Sequence, residues 1–283
     1  MEQDVPQIKI NSLTLRMRSF SLRSTASIPK SPSFDFDKLP KYNEFKTLAH
    51  LLRACMHEHD DGPDRSFLPP ALLSILLSRE AIQYELNEYQ LDAPTLKSVL
   101  LNTTVDAIEE SDENLKTYLV VFAILILLGK GKEIVHCISC PNGVCDQDLP
   151  LLLYNQMGNR ELRLRDNSKI DCFNEWDPHV CESFENYQWR LTVPTFALNE
   201  DNTIIHQELH DRAILPWCEE HLQTSYPTMS GGFGSVKRVR IHPLCHEFHD
   251  VLKEVRSYKD SRLLPRTSLW RRTVAKDEMS RSD

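Results

Sequence analysis

The chain has 283 residues, 41% hydrophobic and 26% charged, enough for one large or two modest domains with real cores. Its net charge of -8 argues against general nucleic-acid binding, which needs positive charge clustered along phosphates. The longest apolar run, Tyr118 to Leu128, falls short of the roughly 20 residues that cross a bilayer, so no membrane span is expected.

The first residues, Met-Glu-Gln-Asp, lead into no apolar signal core, and the eight cysteines are scattered as in proteins with reduced thiols. Both features point to an intracellular protein, cytoplasmic or nuclear. Residues 1–35 are rich in Ser, Arg and Lys, with too little periodic apolar surface to offset chain entropy, and read as a disordered tail.

Residues 36–146 read as a helical domain. Phe45, Leu48, Leu51, Leu52 and Cys55 fall at helical spacing from Tyr42 to about His59, where Asp60-Asp61-Gly62-Pro63 punctuates the chain. That places His57 and His59 on a charged, solvated helix end. A second helix is expected over about Pro70 to Tyr89, and a third from Ala93-Pro94 to about Glu110. The fourth starts at Ser111 as N-cap and runs through Leu119, Phe122, Ile124 and Leu127 to Gly129. Apolar on nearly every side, it belongs at the centre of the domain.

Residues 147–250 read as a mixed region. Leu149 to Tyr154 is short and apolar, and Phe173, Trp176, Phe184, Tyr187, Trp189 and Phe196 concentrate large rings of the kind that anchor packed surfaces. Arg190 to Val193 reads as a strand ending at Pro194, and Thr203 to Leu209 and Arg212 to Trp217 as further extended segments. The stretch Ser230-Gly231-Gly232-Phe233-Gly234-Ser235-Val236 follows: a tight, side-chain-poor turn entering a strand of alternating apolar and basic residues. Residues 251–283 are basic with few core residues and read as a second disordered tail.

The glycine stretch resembles the phosphate-covering loop of protein kinases. Gly231 and Gly234 match the second and third glycines of G-x-G-x-x-G-x-V, Phe233 the aromatic at the loop tip, and Val236 the residue over the adenine; Met229 stands where the first glycine belongs. From Leu128-Gly129-Lys130-Gly131 through Gln188-Trp189 to Arg240-Ile241-His242-Pro243, the chain is similar to fungal protein kinase-like proteins with a helical N-terminal region. The resemblance implies an α+β fold, a helical N-terminal domain followed by a partial kinase-like N-lobe β-hairpin. It also implies ATP and Mg as cofactors of complete relatives, with Gly231, Gly232, Phe233, Gly234 and Val236 at the nucleotide.

Phosphoryl transfer also needs a strand lysine, a catalytic-loop Asp with a metal-binding Asn, and the Asp of D-F-G. No H-R-D, D-F-G or A-P-E occurs, so the expectation is a kinase-like chain truncated after its glycine loop. The sole position for the strand lysine is Lys276, 40 residues beyond Val236 rather than about 15, and it reads better as a solvated tail residue. No catalytic residue is assigned. The function expected is a regulatory or interaction module with a protein partner and at most weak nucleotide contact; the alternative is a serine/threonine kinase represented by an incomplete chain.

Two other clusters carry potential chemistry. Cys137 and Cys140, with Cys145 nearby, have the C-x-x-C spacing of a zinc knuckle but lack a second pair; His179 and Cys181, or Cys172, would complete a site only by folding back, and free thiols are the alternative. His242, Cys245, His246 and His249 cluster after the glycine-entered strand and read as a structural loop.

Overall fold

A computed structural model describes residues 35, 38–40, 44–59, 62–103, 116–156, 159–199, 205–218, 229–231, 234–248 and 268–273. These form an α+β fold of helices and small antiparallel sheets. Among them no helix is long and apolar enough to cross a membrane. Residues 1–34, expected as a tail, lie outside the described residues, as do Ser111, Gly232, Phe233, His249 and Lys276.

The first helix, α1, covers only Leu48–Ala54, capped by Thr47, whose hydroxyl accepts the His50 N–H at 3.3 Å. It does not continue to His59 as expected. His57–His59 is instead a strand, β1, paired antiparallel with β2, Gly62–Phe67. Gly62 has φ +113°, a conformation that suits glycine, and opens β2 opposite His59, so Gly-Pro here begins a strand rather than stopping a helix.

The single helix expected over Pro70 to Tyr89 is two, α2 (Pro70–Leu76) and α3 (Arg79–Glu88). Ser78 divides them because its hydroxyl accepts the Ala81 N–H at 3.3 Å and starts a new helix. The third, α4, spans Ala93–Thr103. The central helix, α5, spans Leu119–Leu127 and buries eight of its nine residues. It ends at Gly129, whose φ of +70° closes the helix in the left-handed region.

Tyr118, at the N-cap of α5, gives no side-chain cap. Asp146, 25 residues beyond Val121, serves instead: its Oδ1 accepts the Val121 N–H at 2.9 Å and its own N–H donates to the Thr117 carbonyl at 2.8 Å. A buried helix end thereby gains an acceptor for an otherwise orphaned donor. Asp146 is itself buried, Oδ2 has no hydrogen-bond partner among the described residues, and burial raises its pKa to about 6.

After α6 (Ile134–Ser139), the chain turns back on itself at 140–143, with the Gly143 N–H donating to the Cys140 carbonyl at 2.9 Å. A Cβ on Gly143 would overlap the Cys137 carbonyl oxygen, so the return is close enough to demand glycine. The hairpin of β3 (Leu152–Gln156) and β4 (Asn159–Arg163) follows, then α7, Pro178–Leu191. Arg190 and Leu191, expected in a strand, are the last turn of this helix. Cys181, Phe184, Glu185, Gln188, Trp189 and Leu191 recur at helical spacing on its buried side, outweighing the local β character of Thr192-Val193.

One large core gathers α1 to α7 with Leu149, Leu151, Leu162, Ile170 and Leu244. A smaller one holds Phe67, Trp189, Val193, Ile214, Trp217, Ile241 and Cys245. Successive residues of an extended chain point to opposite sides, so Phe67 enters the small core and Leu68 the large one. The large core includes residues from both sides of position 146. On α7, Gln188 fastens the β3 approach: its Oε1 accepts the Leu151 N–H at 2.8 Å and its Nε2 donates to the Leu151 carbonyl at 2.9 Å.

Candidate functional site

The glycine stretch forms a tight antiparallel turn. Strand β6 (Met229–Gly231) pairs with β7 (Gly234–Ile241) in the register Met229 with Val236 and Gly231 with Gly234. Gly231, Gly234 and Val236 are thus at or beside the end of the paired strands; Gly232 and Phe233 lie outside the described residues. On its other edge β7 pairs with β8, Ser268–Thr273, from Ser235 opposite Thr273 to Arg240 opposite Ser268. Within the stretch expected as a basic disordered tail, these six residues are therefore a strand.

Near its end β7 also pairs with β5, where Trp217 faces Ile241 and Cys218 faces Arg240. Of Arg212 to Trp217, expected as strand or extended chain, Arg212 lies in a turn, 213–216 run without regular structure and Trp217 joins the ladder with Cys218; residues 205–210 are irregular. Ile241 is buried and delivers the chain to His242, where the side chains of the small core take over.

His242 lies against His57 of β1, with Nε2 to Nε2 at 3.2 Å and ring centroids 4.2 Å apart. The Leu244 N–H donates to His242 Nδ1 at 3.1 Å, so that nitrogen carries a lone pair. A neutral His242 therefore holds its proton on Nε2 and donates it to His57, whose own proton is assigned to Nδ1. Burial, then the charge of His57, drives the pKa of His242 down to about 3, and burial also lowers that of His57. His59 is buried as well, its ring edge-on to Phe67. Of the two histidines expected on a solvated helix end, His59 is thus buried, and His57 is half-buried with its ring against Phe67 of the small core.

The rest of the small core is held by backbone and rings. Phe196 N–H donates to the Cys245 carbonyl and Glu247 N–H to the Phe196 carbonyl, both at 2.9 Å. Phe196 stacks on Trp217 at 6.1 Å, and Trp217 Nε1 is buried without a hydrogen-bond partner among the described residues. Trp189 Nε1 donates to Glu185 Oε1 at 2.7 Å, and Glu185, also buried, pairs with Arg212. The geometry of the histidine pair fastens β1 to the exit of β7.

The cysteines pair differently from their spacing. Cys137 Sγ meets Cys172 Sγ at 3.9 Å across 35 residues. Cys140 sits at the C-cap of α6, and among the described residues no group of three or more His, Cys, Asp and Glu is placed to hold a metal ion. Cys172, expected to reach Cys137 only by folding back, does so sulfur to sulfur once the 140–143 return and the β3–β4 hairpin are folded. No protein-family model, curated protein or solved structure matches the chain.

Proposed function

We propose that this chain is a kinase-like protein that acts as a regulatory or protein-interaction module and does not itself transfer phosphate. The observation that carries the reading is the strand order around the glycine turn: β6, the turn, β7 and then β8, each antiparallel to the next. A loop that covers nucleotide phosphates needs that arrangement, with backbone N–H groups at the tip and a following strand to fix the hairpin.

The chemistry of transfer finds no support in the residues. Strand β8, Ser-Leu-Trp-Arg-Arg-Thr, lies where a phosphate-gripping lysine belongs and has none. Met229 occupies the first-glycine position in β6, and the sequence offers no H-R-D or D-F-G for the proton and the metal. The second reading, a serine/threonine protein kinase with ATP and Mg at Gly231, Gly232, Phe233, Gly234 and Val236, draws on the same strand order.

Thermal unfolding with and without ATP in magnesium buffer separates them. The interaction-module reading expects an unchanged midpoint. A rise of several degrees in the wild type that disappears in Gly234→Trp would overturn it in favour of the kinase.

A further inference from the structure

The sulfur pair Cys137–Cys172 has a geometry that neither the glycine turn nor the histidine pair accounts for, and it stands independently of the kinase reading. The two residues come from different elements, Cys137 from α6 and Cys172 from the helical turn Asp171–Phe173. Asn142 Nδ2 donates to Asp171 Oδ2 at 2.8 Å and ties the 140–143 return to that turn. Cys137 is sealed in the large core, whereas Cys172 is only half-buried and open to a small reagent.

The surroundings favour different protonation states at the two sulfurs. Cys172 Sγ receives the Cys137 thiol proton in a hydrogen bond and the backbone N–H of Val144, and these lower its pKa; the same bond and burial raise that of Cys137. Other buried cysteines go the opposite way. Cys145 donates to Asp148 Oδ2 at 3.0 Å and is pushed up to about 12, and Cys55, Cys181 and Cys245 are raised by burial. A sulfur with N–H and S–H donors beside it and a second thiol at 3.9 Å has the arrangement of an attacking and a resolving sulfur.

We propose that Cys172 and Cys137 are a redox modification site for hydroperoxides, with Cys172 as the attacking and Cys137 as the resolving thiol. The Cys172 thiolate attacks one peroxide oxygen: an S–O bond forms, the O–O bond breaks, and hydroxide leaves to be protonated by solvent. The sulfur is oxidised to sulfenic acid and the peroxide reduced. Cys137 sulfur then attacks Cys172 sulfur, an S–S bond forms, and the S–O bond breaks. The departing hydroxide takes the Cys137 proton as water. Two thiols and one hydrogen peroxide thus become one disulfide and two waters. Sulfurs in a disulfide are about 2 Å apart, so the pair closes by about 2 Å, a swing of the half-buried Cys172 side chain. The product links α6 to the turn ahead of α7 and encloses the β3–β4 hairpin.

Graded hydrogen peroxide on the native chain, followed by alkylation of remaining thiols and peptide mapping, tests this. The expected first product is a linked Cys137–Cys172 peptide, reversed by dithiothreitol and formed at least about tenfold faster than any change at Cys140, a thiol of similar exposure. Cys172→Ser should abolish the link, and Cys137→Ser should leave Cys172 as a sulfenic acid trapped by dimedone. Mapping of the wild type decides alone should the buried Cys137→Ser substitution fail to fold. Oxidation of Cys140 ahead of Cys172, or Cys172 proceeding to sulfinic acid unlinked to Cys137, overturns the proposal.

Discussion

The large core around α5 and the small core at the exit of β7 are both sealed from solvent, but they admit polar groups on different terms. The large one is built mostly from aliphatic side chains, with the rings of Phe122, Phe173 and Phe184 among them, and its buried acid, Asp146, serves a helix end. The small one brings His59, His242 and His246, with the half-buried His57, among aromatic rings, and leaves the Trp217 indole N–H unpaired among the described residues. The difference teaches how protons act on each. Asp146 is raised to about 6 from 3.8, so between those values the native state holds a proton that the unfolded chain has lost, and acidification strengthens the large core. His242 is lowered to about 3 from 6.5, so below 6.5 the unfolded chain takes up a proton that the native state refuses, and acidification weakens the small core.

The largest effect expected is at the centre of the large core. Phe122→Ala removes a fully buried ring from α5 and should cost about 3–5 kcal/mol in urea unfolding. Because α7 carries Phe184 into one core and Trp189 into the other, circular dichroism and tryptophan fluorescence should report the same midpoint in that variant. Separate midpoints would break the comparison by showing that the small core melts independently.

The next effect concerns the histidine pair. His242→Asn keeps an acceptor for the Leu244 N–H but cannot titrate. The wild type should lose stability relative to this variant by up to about 1 kcal/mol per pH unit between pH 6.5 and 3. Parallel stability–pH curves would remove the small core from the account of acid sensitivity. The smallest effect, over the narrower window from pH 6 to 3.8, has the opposite sign. Asp146→Asn retains an oxygen for the Val121 N–H, and the wild type should gain on it by up to about 1 kcal/mol per unit as pH falls. A gain on raising the pH instead would mean that Asp146 is charged and satisfied in the native state.

What could be read from the sequence follows the same division. The run Leu119–Leu127 announces its own burial, since a helix apolar on all sides has nowhere else to go. The turn at Gly231 to Gly234 was equally plain, because few other residues permit so tight a reversal. The small core was illegible because its parts lie far apart: the His57 contact to His242 spans 185 residues, and no local period links them. The β1–β2 hairpin was hidden for a related reason. The segment His57 to Phe67 lacks alternation and follows a run with helical spacing, so Gly62 passed for a helix stop. Asp146 as the surrogate cap of α5 and Cys172 as the partner of Cys137 are likewise products of the folded chain, across 25 and 35 residues.

Gly143 carries a consequence for what substitutions the chain can absorb. A side chain there would collide with main-chain oxygen of Cys137, not with another side chain, so no change of residue elsewhere can open the space. Position 143 is therefore closed to compensation. The next residue, Val144, supplies an N–H to the Cys172 sulfur. A sequence that keeps both cysteines but loses this glycine would keep the two reactants and lose the main-chain path that aims a donor at one of them.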